Sequence, residues 1–311
     1  MSCVATLGMF DGVHRGHLAV LAVAREEADR RGVPLTVLTF DPHPVKVHRP
    51  EHYLTEVTTL EHRTDLLRAA GADDVRIVPY TLEFAQQSPA EFTRNYFVNA
   101  LKAVCVVEGE DVRFGQGNSG DAARLRELGA AQGFDVLIVS DLLDPVSGRR
   151  WSSTWVREAL LAGDVREAAY VLGRPHRVRG IVEHGQKRGR ELGFPTANVH
   201  AHGVGVVPKD GVYAGWLHVE GERLPAAISV GTNPHFDGVR RTVEAHVLGR
   251  ADLNLYGDEV EVEFTDRIRD MLSFDSLEGL LTEMDRDLAA TSAILGVAQA
   301  TRVDPSSVTA S

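Results

Sequence analysis

The stretch "VATLGMFDGVHRGHLAVL", residues 4–21, runs from an apolar segment through a glycine-rich turn into an amphipathic one. The run "CVATLGMF" lacks the alternation of a half-exposed strand, so it predicts a strand buried on both faces of a parallel sheet. Residues 17–31, "HLAVLAVAREEADRR", predict a helix stopped by Gly32, with Leu18, Leu21 and Ala22 on its inner face. "VPLTVLTF" (33–40) supplies the next strand and completes a βαβ unit. Ligands of an open parallel sheet gather beyond the carboxyl ends of its strands, at helix N-termini. The loop over 8–17 is therefore a candidate site. Gly8, Gly12 and Gly16 let backbone N–H groups approach an anion closely, and His14 and His17 can donate to phosphate oxygens as their charge grows. The same H-x-x-H spacing also suits zinc, and two helix-start histidines without a chemical role are a third reading.

The alternation continues outward from this unit. "TLEHRTDLLRAAG" reads as a helix capped by Gly71 and "VRIVPY" as a strand. "SPAEFTRNYFVNAL" reads as a helix opened by Ser88 as N-cap, Pro89 at its first position and Glu91 three after the cap. "AVCVVEG" and "DVLIVS" are short buried strands on either side of a helix near 121–131. This order predicts a parallel sheet with helices on both faces. After residue 173 the texture changes to strand-like runs separated by Gly, Asn and Asp turns, among them "RVRGIVEHG", "GVYAGWLHVEG", "RTVEAHVLG" and "DEVEVEFTDRI". These predict an antiparallel sheet or barrel, closed by a helix over 276–295. The expected organisation is a first domain over 1–172, a second over 173–298 and a disordered tail over 299–311.

Composition sets outer bounds. The 311 residues are 43% hydrophobic and 25% charged, enough for two packed cores. No run of roughly 18 apolar residues occurs and no signal peptide is evident at the N-terminus, so no membrane partner is expected. Two cysteines, Cys3 and Cys105, each inside an apolar run, suggest reduced buried thiols and a cytoplasmic protein. A net charge of −11 speaks against a nucleic-acid partner, while the basic "GQKRGR" (185–190) suits small phosphorylated ligands. The oligomeric state stays open, a homo-oligomer included.

Several motifs carry a family resemblance. "GMFDGVHRGH" (8–17) resembles the H-x-G-H signature of the nucleotidyltransferase superfamily, and "WSSTWVREAL" (151–160) resembles its later S-S-T-x-x-R element. Ser152, Ser153 and Thr154 suit a helix N-cap, and Arg157 one turn in suits phosphate. "TFDPHPVKV" (39–47), "PYTLEFAQQSPAEF" (79–92) and "VVEGEDVRFGQGNSGD" (106–121) are similar, in order and spacing, to the adenylyltransferase module of the bifunctional bacterial riboflavin kinase/FAD synthetase family. The resemblance implies a Rossmann-like nucleotidyltransferase domain in which His14, His17 and Arg157 are catalytic. It implies ATP contacts from Gly8, Phe10, Asp11, Gly12, Gly16, Ser153 and Thr154, and a flavin site bordered by Asp111, Arg113 and Asn118. Position 112 is Val where the family carries an aromatic, and the first strand begins within a few residues of Met1, with little of the family's usual leader.

The second half resembles the same family's kinase. "HGQKRGRELGFPTANV" (184–199) is similar to its glycine-rich flap and P-T-A-N motif. Gly185, Gly189 and Gly193 suit a flap that Lys187, Arg188 and Arg190 make basic. With Pro195 and Thr196 it would cover ATP, while Thr196 and Asn198 offer hard oxygen donors for Mg²⁺. In "AISVGTNPHFDGVRRTVEAHVL" (227–248) the resemblance makes Glu244 the general base, although a solvated strand glutamate would read the same. Arg269 and residues 270–275 are then candidates for the flavin side. The resemblance implies an antiparallel β-barrel kinase domain with a C-terminal helix, substrates riboflavin, FMN and ATP, and Mg²⁺ as cofactor. Cytidylyl or pantetheine-adenylyl transfer, a single-activity enzyme and a non-catalytic flavin carrier are the alternatives.

Overall fold

Strand β1 (Cys3–Leu7) runs up the middle of a five-stranded sheet. The computed structural model describes residues 2–301 apart from 53, 184–193, 202, 234–239 and 251–252. The chain divides into two units, one of residues up to Glu56 with Leu60–Ser153, the other of Val57–Thr59 with Thr154 onward.

In the first unit β1 is followed by α1 (Arg15–Arg31), β2 (Leu35–Asp41), α2 (Pro44–His48), α3 (Leu60–Ala69), β3 (Asp74–Pro79), α4 (Pro89–Phe92), β4 (Ala103–Gly109), α5 (Ala122–Gln132) and β5 (Asp135–Val139). The strand order is β3-β2-β1-β4-β5 and every pairing is parallel. Side chains alternate across each strand, so Cys3 and Ala5 pack with Phe92, Phe97, Leu125 and Phe134 on one face. Val4 packs with Ala24, Ala28 and Leu35 on the other. Both faces are covered, which is why these strands read as continuous apolar runs.

Two local readings need correction. The buried face of α1 is Leu21, Ala24, Glu27 and Ala28, whereas Ala22 is exposed. The stripe follows i, i+3, i+7 from Leu21, and Ala22 falls a further 100° round the helix. The helix opened by Ser88 is α-helical only over Pro89–Phe92 and π-helical over Thr93–Ala100. Its capping box is formed as expected. The wider turn lets Phe92 and Phe97, five residues apart, both face the core with ring centroids 5.5 Å apart.

The second unit begins with α6 (Ser153–Ala162) from Thr154 onward and α7 (Val165–Leu172), and α7 packs against the barrel that follows. The barrel consists of β6 (His176–Glu183), β7 (Ala197–His200), β8 (Gly211–Val219), β9 (Glu222–Asn233), β10 (Arg240–Val247) and β11 (Glu259–Arg269). It closes in the order β10-β7-β6-β11-β8-β9 with all pairings antiparallel. Inward residues such as Val199, Ile228, Val230, Val243 and Val262 are fully or almost fully buried. Helix α8 (Leu277–Leu295), capped by Ser276, packs against β8, β9 and β11.

Candidate active sites

The first site grows from the carboxyl end of β1. Gly8 N–H donates to Leu38 O of β2 at 3.0 Å, and the chain then turns through Phe10, Gly12 and Val13, all with positive φ. For a β-branched residue such as Val13 this conformation is costly, and strain of this kind gathers at functional loops. Phe10, Asp11, Val13 and His14 are all buried. His14 is the N-cap residue of α1 in an extended conformation and makes no side-chain cap bond. Its ring stacks on His17 with centroids 3.6 Å apart, and Phe10 meets His17 edge-on at 5.1 Å. A Cβ on Gly16 would lie 3.2 Å from the His14 ring and 3.3 Å from Trp151 Cβ. Glycine there makes room for the histidine pair.

The later S-S-T element joins this loop. Ser153 Oγ–H donates to Asp11 O at 2.8 Å, and the Arg15 guanidinium lies 5.7 Å over the Trp151 ring. Sequence separation of 142 residues is thus closed by a direct hydrogen bond. Thr154 and Arg157 follow on α6, where the chain passes into the second unit.

The order β2-β1-β4 places a topological switch point between β1 and β4. At its floor lies Glu108, near the end of β4 and 3% exposed. Leu7 N–H donates to its Oε1 at 2.6 Å, and burial lifts this carboxyl well above the usual range. Beyond β4, Asp111 pairs with Arg150, Arg113 donates to Val112 O at 3.3 Å, and Asn118 is exposed in a left-handed turn. Val112 packs against the core that holds Phe114. At the ends of β2 and β3 the rings of Phe40, Tyr80 and Phe84 form an aromatic cluster with centroids 5.2–5.5 Å apart, and the Tyr80 hydroxyl Oη lies 2.9 Å from His48 Nε2.

The second site lies on the barrel. Asn198 of β7 stands directly opposite Glu244 of β10 on one side and Glu183 of β6 on the other. Directly opposed residues share a face, so Asn198 and Glu244 project together. Asn198 Nδ2 donates to Thr196 Oγ1 and Thr196 O, each at 3.2 Å. Glu244 is half-buried with Thr242 Oγ1 3.5 Å from its Oε1, and burial raises its carboxyl above the ordinary glutamate range. Pro195 and Thr196 also border a small pocket lined by Ala197, Ala245, Val247, Leu255 and Tyr256. Arg269 of β11 is engaged by α8, its Nε and Nη2 donating to the two Asp287 oxygens at 2.8 and 2.6 Å.

The model for FAD synthetase matches residues 1–155 and that for riboflavin kinase matches residues 172–295. The bifunctional riboflavin kinase/FMN adenylyltransferase of Escherichia coli K12 is 36% identical over 92% of this chain and 90% of its own. That of Pseudomonas fluorescens is 38% identical over 94% and 93%. This chain belongs to the bifunctional riboflavin kinase/FMN adenylyltransferase family. The fold agrees with a crystal structure described as a macrolide-efflux protein from Streptococcus pneumoniae, at TM-score 0.85 and 32% identity over 93% of this chain and 94% of that one. No described helix here is long and apolar enough to cross a membrane.

Against the expectations for a member of this family, the structure brings Gly8, Phe10, Asp11, Gly12, His14, Gly16, His17 and Ser153 into one loop cluster. It brings Pro195, Thr196, Asn198 and Glu244 into another. Among the described residues no three His, Cys, Asp or Glu groups gather as a metal site, and the two histidines stack on each other. The flap residues Gly185, Lys187, Gly189 and Gly193, like the tail from 302, lie outside the described residues. Sequence reading missed Glu108 and the aromatic cluster. The stretches that carry Phe40, Tyr80 and Phe84 stood out, but nothing in one dimension shows a ring on β2 converging with two rings just after β3.

Proposed function

We propose that the chain makes FAD in two steps. The second unit phosphorylates the 5′-hydroxyl of riboflavin from ATP, and the first joins the resulting FMN to AMP from a second ATP with release of pyrophosphate. The single observation that carries this reading is the cross-strand pairing of Glu244 with Asn198, itself bonded to Thr196, in a chain whose other half holds the stacked His14–His17 pair.

In the phosphorylation step Glu244 takes the proton of the ribityl hydroxyl as its oxygen attacks the γ-phosphorus of ATP, the bond to the β-phosphate oxygen breaks and ADP leaves. Its raised affinity for protons makes it a better base than a solvated glutamate. Phosphoryl transfer needs positioning more than strong nucleophilic activation, which suits a single carboxylate beside a nucleotide pocket. Thr196 and Asn198 present oxygens of the hard type that Mg²⁺ prefers, and the ion would neutralise charge on the transferred phosphoryl group.

In the adenylyl step the FMN phosphate is already anionic, so no strong base is required. The work is to offset crowded negative charge at the α-phosphorus. We assign that role to His14 and His17, with backbone N–H groups of the loop from Gly8 to Gly16, and to Arg157 by its motif alone. Asp111, Arg113 and Asn118, and with them the rings of Phe40, Tyr80 and Phe84, are assigned to the flavin border, the rings because an aromatic face suits an isoalloxazine. Free buried thiols at Cys3 and Cys105 fit a cytoplasmic setting.

Incubation with riboflavin, Mg²⁺ and ATP, followed by chromatography of the flavins, tests both steps. FAD is the expected end product. Riboflavin returned unchanged overturns the kinase assignment, and FMN accumulating without FAD overturns the adenylyltransferase assignment.

A further inference from the structure

His246 follows Glu244 by two positions on β10, so both project from the same face of that strand. It is 4% exposed, and its Nδ1 lies 2.8 Å from Pro195 O. A carbonyl only accepts, so the ring proton sits on Nδ1 and the imidazole is the donor. Nε2 is buried and has no hydrogen-bond partner among the described residues, which fits a neutral ring, and burial holds this histidine below the usual imidazole range. The ring also packs on Phe194 with centroids 5.4 Å apart, and Phe194 is itself 1% exposed in a cluster with Leu248 and Leu288.

These contacts converge on one short stretch of chain. Phe194 is packed, Pro195 is held through its carbonyl, and Thr196 follows at once, bordering the pocket and accepting from Asn198. Ala245 and Val247, which alternate with Glu244 and His246, line the pocket from the other side of β10. The Pro195–Thr196 segment therefore joins the pocket to the face that carries Glu244. We infer that His246 is a positioning residue for riboflavin phosphorylation: by holding Pro195 O it fixes the segment that presents Thr196 to ATP. The role rests on the kinase reading above. It involves no contact between His246 and substrate.

The test is steady-state riboflavin phosphorylation by the full-length chain with ATP varied at saturating Mg²⁺, in wild type and in His246→Phe, His246→Gln and His246→Asn. Phenylalanine keeps the packing on Phe194 and removes the donor. Glutamine places its amide near the Nε2 position and asparagine near the Nδ1 position. An unchanged KM for riboflavin and a wild-type thermal melt of the same preparations report that the barrel is folded. His246→Phe and His246→Gln are expected to raise KM for ATP about tenfold, the scale set by one orphaned buried carbonyl, with KM for riboflavin unchanged. His246→Asn is expected to restore KM to within about threefold of wild type, since one restored neutral bond recovers most of that loss. The inference is overturned if KM for ATP stays at the wild-type value in His246→Phe and His246→Gln, if only kcat falls, or if His246→Asn is as impaired as the others. A wild-type chain that forms no FMN overturns the kinase reading and this role together, and is recognised before any variant is compared.

Discussion

Glu244 on β10 stands directly across from Asn198 on β7, and Asn198 in turn donates to the Thr196 hydroxyl 3.2 Å away. The proposed base and Asn198 are thus set by a single register of antiparallel pairing, and Thr196 is tied to it through Asn198. A one-residue slip would send Glu244 to the opposite face of the barrel wall. The barrel's closure is what holds that register.

Replacing Glu244 with Gln keeps its size and removes the base. Riboflavin phosphorylation is expected to fall by about 10²–10⁴-fold, while FMN supplied directly is still converted to FAD. In the wild type the phosphorylation rate should drop as pH falls through the Glu244 ionisation. Burial moves that acid limb above the ordinary glutamate range. Rates of FMN formation against pH check both points, and an acid limb unchanged in the variant's residual activity would remove Glu244 from the role.

His17→Ala separates the two halves in the other direction. Loss of the donor proposed to meet developing phosphate charge is expected to lower FAD synthesis by about 10²–10³-fold and to leave FMN formation intact. Because the His17 ring also stacks on His14 and meets Phe10, His17→Gln serves as a milder companion that keeps a donor. Chromatography of products from riboflavin should show FMN accumulating in His17→Ala.

How far the sequence reached depends on the range of each interaction. The parallel sheet was legible because burial on both faces leaves continuous apolar runs, and Gly32 and Ser88 marked real helix ends. The inner face of α1 went astray at Ala22, since alanine's small size gives periodicity little to distinguish inside from outside. The π-helical Thr93–Ala100 was hidden because its cause, the joint burial of Phe92 and Phe97, is tertiary. His14, His17 and Ser153 could be named from motifs. Glu108 and His246 could not, because an acid within an apolar strand and a histidine within an alternating one gain meaning only from Leu7 N–H and Pro195 O.

Gly16→Ala distinguishes stability from function at the first site. Alanine favours a helix over glycine by up to about 1 kcal/mol, so α1 should not be weakened. The added Cβ would lie 3.2 Å from the His14 ring and 3.3 Å from Trp151 Cβ, close enough to displace one of them by a few tenths of an ångström. FAD synthesis is expected to fall about tenfold with an unchanged or higher melting temperature, because small misplacements of a charge-stabilising group are costly. A variant as active as wild type would show that the His14 ring need not be held in this position.

Glu108→Gln tests whether the floor of the β1–β4 crevice is uncharged. Burial lifts the Glu108 carboxyl well above 4.5, with nearby Asp111 pushing the same way and the bond from Leu7 N–H opposing. The folded chain therefore keeps a proton that the unfolded chain releases above about pH 4.5, the unperturbed glutamate value. Wild-type stability must then decline as pH rises from the unfolded pKa toward the folded one, by up to about 1.4 kcal/mol per pH unit from this group. Glutamine keeps an oxygen for Leu7 N–H and cannot ionise, so the variant escapes that decline. Thermal melts of the two proteins should nearly coincide at about pH 4.5, the unperturbed glutamate value, and separate as the pH is raised above it, the variant melting higher. A gap that stays constant with pH would mean that the carboxyl is ionised in place. The crevice floor would then carry a negative charge against the phosphates that the His14–His17 loop is proposed to hold.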